Sequence, residues 1–290
     1  MGNPRELASA FSTRLVREMS RPQPALWARE RIAPIAGLVD GDAPLSAAFE
    51  VAYGRLVELY QCEYVYATEL IAGALKAEPD AHAITGLPVF LSIADVVVAG
   101  NSASAFEIKT GLDSFARLEL QLFSYSRSFE YVHVVTSQAK APRAVDEVPE
   151  HVGVIAFDDS AALTTVRAAA GGYSRLDIGS VFRVLRRAER LAILERQIGY
   201  EVDAPSALLY QRTAELFTSL PIEAIYDDFV AELKGRDARQ RAAAADAGLP
   251  RSLVAAASGL TLSGIACRRL GTLLQRPAGQ LADATRGWAA

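Results

Sequence analysis

Ser92-Ile-Ala-Asp-Val-Val-Val-Ala-Gly-Asn-Ser-Ala-Ser-Ala-Phe-Glu-Ile-Lys109 is the stretch on which the fold turns. Its first half belongs to a run rich in valine and isoleucine from Pro88 to Ala99, and its second half opens another run from Ala103 to Thr110. Gly100-Asn101-Ser102 between them has turn chemistry. The pattern predicts two antiparallel strands joined by a hairpin near Asn101. Side chains two apart on a strand share a face, so Glu107 and Lys109 point one way while Phe106 and Ile108 point the other. The hairpin brings Asp95 beside Glu107 as a cross-strand neighbour. Two carboxylates and an ammonium then converge at one end of a sheet. Carboxylates are the ligands Mg²⁺ prefers, usually one or two of them with several waters kept. Such an ion polarises a phosphoryl oxygen and lowers the pKa of its bound water. A neighbouring lysine orients or helps deprotonate that water and offsets developing negative charge. Phosphodiester hydrolysis needs this set of parts.

Working outward, the apolar residues from Leu45 to Ala77 recur at helical spacing, with a break near Gln61 and with Glu63 inside the second part. C-terminal to Lys109, an amphipathic helix is expected from Asp113, a good N-cap, to Phe129. On it Asp113, Arg117, Gln121 and Tyr125, four apart, form a polar stripe. Phe115, Leu118 and Leu122 form the stripe that packs on the sheet. Two further runs of strand formers, Tyr131 to Thr136 and Val152 to Phe157, complete an α/β sandwich of roughly 100 residues. The first 44 residues, with scattered prolines, read as a helical lead-in, and residues 45–158 as the core. Residues 159–290 read as a mainly helical C-terminal region, whose patterns run over Val181 to Ile198, Leu208 to Leu233 with a break at Pro221, and Ser252 to Leu274.

Composition narrows the function classes. Half of the 290 residues are apolar and about a fifth are charged, which suits a globular chain with ample core. No stretch reaches the roughly 20 apolar residues a membrane span requires. The opening Met-Gly-Asn-Pro-Arg-Glu lacks an apolar signal core, and Glu6 occupies the place where a myristoylation motif needs Ser or Thr. A cytoplasmic location without a membrane partner is the expectation. Two cysteines, Cys62 and Cys267, make neither a disulfide framework nor a four-ligand zinc site. A net charge of −4 excludes nucleic-acid binding by a bulk basic field and requires a local patch instead. Lys76, Lys109, Lys140 and Lys234 are the only lysines, which makes one inside a strand worth attention.

Asp95 followed by Glu107-Ile-Lys109 resembles the signature of the PD-(D/E)XK nuclease superfamily. Gln121-Leu-Phe-Ser-Tyr125 resembles the Gln-x-x-x-Tyr motif of its RecB-like branch, and the run from Phe106 to Gln121 is similar to a group of bacterial and phage-associated members. The resemblance covers roughly residues 60–157, about a third of the chain. It implies a restriction-endonuclease-like αβββαβ core and a metal-dependent nuclease, with Mg²⁺ or Mn²⁺ as cofactor and DNA as the nucleic-acid partner, acting in DNA processing or defence. Asp95 and Glu107 would be metal carboxylates, the Ile108 carbonyl a further ligand, and Lys109 the catalytic lysine. Glu63 of Gln-Cys-Glu-Tyr matches an acidic position that joins the metal site in several branches. Gln121, Tyr125 and Arg117 would face the substrate. The sequence departs from the pattern at Gly86, where relatives carry Glu, and at Phe90, where glycine is expected. The first departure bears on a second metal site and on activity.

Blander readings stand beside these. Glu107 and Lys109 also fit a solvated ion pair on a strand edge, and Glu63 a surface helix position. Arg117 fits an i, i+4 pair with Asp113. Tyr125 fits a core phenol. The arginines at 183, 186, 187, 190 and 196 fit a solvated helix face. The competing functional class is an inactive nuclease fold that binds nucleic acid or a protein partner. A third is a regulatory subunit that works through its helical C-terminal region, which would also be the place for a protein partner or a second copy.

Overall fold

Where the chain turns is decided by which residues tolerate leaving the regular backbone, and the first turns fall as the pattern predicts. The computed structural model describes residues 4–285 and 288, so Met1-Gly2-Asn3 lies outside the described residues. Five helices lead: α1 (Pro4–Ser9), α2 (Thr13–Met19), α3 (Leu26–Ala36), α4 (Leu45–Leu59) and α5 (Glu63–Ala77). The break at Gln61 is there, because Tyr60 leaves the helical region at φ −158°. Strands β1 (His82–Val89), β2 (Ser92–Ala99) and β3 (Ala103–Lys109) follow, then α6 (Leu118–Ser126), β4 (Tyr131–Ser137), α7 (Ala141–Glu147), β5 (Gly153–Phe157) and β6 (Leu163–Arg167). Next come α8 (Ile178–Val184), α9 (Arg187–Ile198), α10 (Leu209–Thr218) and α11 (Ile222–Gly235). The last helices are α12 (Ala238–Asp246), α13 (Val254–Ser258) and α14 (Gly264–Leu274).

The fold is mixed α/β around one six-stranded sheet in the order β1-β2-β3-β4-β5-β6. The β1–β2 and β2–β3 pairs are antiparallel, β3–β4 and β4–β5 parallel, and β5–β6 antiparallel. A parallel neighbour needs a crossover, and α6 and α7 supply the two required here.

Five local readings are corrected. The run expected as one strand from Pro88 to Ala99 is a hairpin, with Val89 paired to Ser92 across Phe90-Leu91; a loop without Gly or Asn carries no turn signal in the sequence. The helix expected from Asp113 begins at Leu118. Asp113 accepts hydrogen bonds from the Thr110 amide at 2.8 Å and the Thr110 hydroxyl at 2.7 Å, closing a turn off β3 instead of capping a helix. Of the expected polar stripe, only Gln121 and Tyr125 lie on α6; Arg117 is its exposed N-cap residue, and the i, i+4 pair with Asp113 has no helix to support it. The region beyond Asp158, read as helical, contributes β6 to the sheet. The single helix expected over Val181 to Ile198 is two, α8 and α9, separated at Leu185-Arg186.

The chain divides into two compact units that do not follow the segments 1–44, 45–158 and 159–290. One holds the chain up to Gly73, Asp158–Ala162 and the chain from Asp237 onward; the other holds Ala74–Phe157 and Leu163–Arg236. The first unit is discontinuous because its early and late segments bond to each other. Leu45 N donates to Arg276 O at 2.9 Å and Ala278 N to Ala43 O at 2.8 Å, while Tyr64 Oη donates to Ser252 O at 2.7 Å. Gly279 and Gly41 meet so closely that a Cβ on Gly279 would lie 3.0 Å from the Gly41 Cα.

In the second unit the sheet is buried against helices. Ala103 and Ala105 share a core with Leu122, Tyr125 and Phe129 of the α6 region and with Phe182, Phe217 and Phe229 of the later helices. Tyr226 Oη accepts from the Glu130 amide at 2.6 Å and His82 Nδ1 lies 2.9 Å from Leu233 O, which ties α11 to the start of the edge strand β1 and to the residue before β4.

Candidate active site

Glu107 occupies the strand position after Phe106, with its side chain on the face that also carries Ala105 and Ala103. It is 1% exposed. A carboxylate so buried is costly unless its oxygens are hydrogen-bonded, and both oxygens are engaged. Lys109 Nζ donates to Oε1 at 2.6 Å, so the two residues share a face as their spacing requires. Gln121 Nε2 of α6 also donates to Oε1. Tyr125 Oη, one turn further along, stands 2.6 Å from Oε2 and 2.7 Å from the Ile93 carbonyl of β2. Its single proton serves either acceptor. Burial, and after it the negative charge of Glu107, push the Tyr125 phenol far above its ordinary pKa, so it stays a neutral donor. The Gln121 Oε1 atom is buried and has no hydrogen-bond partner, an acceptor left open beside the acid.

Asp95 joins the group from β2. Val96 pairs with Phe106, and one position further the antiparallel register sets Asp95 opposite Glu107. Asp95 Oδ2 accepts from the Ile108 amide at 2.7 Å, which fixes the carboxylate between the two side chains it was expected to join. Asp95 is half-buried, the more accessible of the two acids. Thr85 pairs with Val96 and Leu87 with Ala94, so Gly86 stands across from Asp95 on its other side, with φ +65° and open space where a Cβ would be. Among the described residues no three His, Cys, Asp or Glu are grouped to hold a metal ion.

The loop after Lys109 is held from outside the motif. Lys140 Nζ donates to Thr110 O at 3.1 Å and Asp113 O at 2.5 Å, and Thr136 Oγ1 donates to Lys109 O at 2.6 Å. The sequence reading missed Lys140, Thr136 and the Ile93 carbonyl, because the first two bond main-chain carbonyls of a segment distant in the chain and the third is itself a main-chain acceptor, which no side-chain pattern marks. Of the expected residues, Asp95, Glu107, Ile108, Lys109, Gln121 and Tyr125 come together. Arg117 stays exposed at the start of α6. Glu63 opens α5 in the other compact unit. The Glu107–Lys109 pair is buried, which removes the reading of a solvated strand-edge pair.

On the opposite face of β3, Phe106 stacks on His133 of β4, with ring centroids 4.7 Å apart and 13° between planes. Burial pushes the His133 imidazole down to about 4, and its buried Nδ1 has no hydrogen-bond partner. The arginine series also does packing work: Arg190 lies 4.1 Å over the Phe182 ring, and Arg196 bonds Asp228 and Glu232, each at 2.7 Å.

Comparison with known proteins finds two likenesses and one family. The chain is 37% identical over 67 residues to protein cII of Enterobacteria phage P4, a stretch that is 23% of this chain and 25% of that protein. The chain therefore spans a quarter of the length of that relative. Among solved structures, the SPO1766 protein of unknown function from Silicibacter pomeroyi matches 47% of this chain and 93% of its own at 15% identity and a TM-score of 0.32. The family described as Bacteriophage P4 protein cII matches residues 70–241, from within α5 to within α12. That span is more than half of the chain and contains all six strands and the whole Glu107 group; the chain belongs to the bacteriophage P4 protein cII family.

Proposed function

We propose that the sheet-bearing unit is a metal-dependent nuclease of the PD-(D/E)XK type, a hydrolase of phosphodiester bonds, with DNA as substrate in DNA processing or defence. The observation that carries the reading is the hydrogen-bonded group in which Glu107 receives Lys109, Gln121 and Tyr125 while Asp95 is tied to the intervening Ile108 amide. The order α5-β1-β2-β3-α6-β4, with β3 and β4 parallel, supports a restriction-endonuclease-like core. Two carboxylates and the Ile108 carbonyl agree in number and type with what Mg²⁺ or Mn²⁺ takes from a protein when it keeps several waters. Such an ion would supply Lewis-acid polarisation of the phosphoryl group and a more acidic water. Asp95 and Glu107 would hold it, Lys109 would orient the attacking water and offset developing charge, and Gln121 and Tyr125 would keep Glu107 aimed.

A second reading is favoured by Gly86: a fold of the same type that binds nucleic acid or a protein partner without cutting, since the acid of β1 is absent beside Asp95. Cleavage assays separate the two. The full chain with Mg²⁺ or Mn²⁺ is expected to cut linear or circular, single- or double-stranded DNA, and Asp95→Asn to lose metal binding and cleavage together. Absence of cleavage on every substrate, with no Mg²⁺ or Mn²⁺ bound in calorimetry, overturns the nuclease reading in favour of the second.

A further inference from the structure

The hairpin beside the Glu107 group carries a costly backbone at an exposed phenylalanine. Val89 pairs with Ser92, leaving Phe90-Leu91 as a two-residue loop. Such loops need positive φ at their first residue and favour glycine or asparagine there. Phe90 adopts φ 51°. A bulky residue in that region is a steric outlier, and strain of this kind gathers at functional sites. Burial does not compensate for it: Phe90 is 42% exposed, and its neighbours Leu91 and Ile93 are more so. Across from it on α6, Phe123 is 51% exposed, with its ring centroid 6.4 Å from that of Phe90. Each ring has a guanidinium over it, Arg183 at 5.2 Å from Phe90 and Arg127 at 5.4 Å from Phe123. One acid, Asp177, lies between the arginines, 3.0 Å from Arg127 and 3.8 Å from Arg183, so the pair keeps a net positive charge in a chain that is negative overall. Tyr125, two residues after Phe123, reaches both the Ile93 carbonyl of this hairpin and Glu107.

We propose that Phe90 and Phe123 are a stacking platform for the bases of a single nucleic-acid strand, with Arg127 and Arg183 taking its phosphates, and that this platform presents the strand to the Glu107 group. Exposed aromatic rings set among cationic side chains are how proteins hold unpaired bases without reading sequence, since every base has a π face. A paired duplex hides those faces. The inference deepens the nuclease reading by naming its substrate class, and it rests on that reading only for the chemistry at Glu107.

Binding is measured by fluorescence anisotropy on the full chain in EDTA, with labelled single-stranded DNA, single-stranded RNA and a blunt duplex of the same sequence. The single strands are expected to bind at least tenfold tighter than the duplex, and the DNA and RNA arms tell which sugar is taken. Phe90→Gly and Phe123→Ala should each weaken single-strand binding by about fivefold to a hundredfold, the usual worth of one base–ring stack. Phe90→Gly should leave the melting temperature unchanged or raised, because glycine accepts the positive φ without strain. Asp95→Asn should retain single-strand affinity. Unchanged affinity in both ring variants, equal binding of duplex, or a changed oligomeric state in place of lost binding overturns the platform. If ring-dependent binding is found and no substrate is cut, the platform stands and the nuclease reading fails. If duplex is cut equally well by wild type and both ring variants, the reverse holds.

Discussion

Two buried carboxylate–cation pairs in the same compact unit differ in how they are built. Glu189 of α9 receives Arg236 side-on, Nε to Oε1 at 2.7 Å and Nη2 to Oε2 at 2.5 Å, and its Oε2 also caps the Arg186 amide at 2.7 Å. Both side chains are closed off, at 3% and 9% exposure. Arginine matches a carboxylate with a rigid fork, so this pair is a clasp between the start of α9 and the end of α11. Glu107 receives Lys109 end-on through one oxygen, and its remaining donors are the side chains of Gln121 and Tyr125. A lysine ammonium is a compact point charge on a flexible stem, without a fork to fix its geometry. Burial is therefore common to both pairs; the cation and the other donors are what differ, and they are what the proposed site at Glu107 rests on.

Lys109→Met tests this most severely. It should lower any cleavage by several orders of magnitude, because the lost group acts mainly in the transition state. It also leaves Glu107 buried without its cation, which costs about 3–5 kcal/mol of stability in comparable pairs. The burial of both side chains is what makes this variant costly to the fold as well as to the rate. Rates are therefore to be compared per folded molecule, by denaturant titration alongside the assay. Arg236→Met should cost a similar 3–5 kcal/mol and leave the per-molecule rate unchanged. A lost rate there would break the distinction between clasp and site.

An acid titration gives a smaller and independent effect. His133 is held neutral by burial, with a folded pKa near 4 against 6.5 ordinarily. A depressed folded pKa means the unfolded chain binds the proton first, so the contribution is present above pH 6.5 and lost as pH falls through about 4. Its size is on the order of 3 kcal/mol. Melting temperature followed from pH 7 to pH 4 should fall in wild type and fall less in His133→Phe. Since His133 lies on the other face of β3 from Glu107, Lys109→Met should not change that slope.

The smallest expected effect is Gln121→Ala. As a donor to a buried acid it should cost about 1–3 kcal/mol, more than the few tenths expected of an exposed polar residue. Cleavage per folded molecule should fall as Glu107 loses one of its guides. An unchanged rate with lowered stability would assign Gln121 to the clasp class.

Strand alternation was enough to put Glu107 and Lys109 on one face, and the turn residues Gly100-Asn101-Ser102 were enough to bring Asp95 back to them, because both effects act within a few residues. Helical spacing likewise paired Gln121 with Tyr125. Packing decided the rest. No local signal marks Phe90-Leu91 as a turn, since the residues that usually signal one are absent and the ladder of β1 on β2 imposes it. Asp113 looked like a helix cap by type, yet the Thr110 backbone and Lys140 claimed it first. The compact units join Leu45 to Arg276 and the sheet to α11, contacts between residues far apart along the chain that only a packed structure brings together. Whether Glu107 and Lys109 formed a solvated edge pair or a buried group was of the same kind: the covering helices determine burial, and they come from distant parts of the chain.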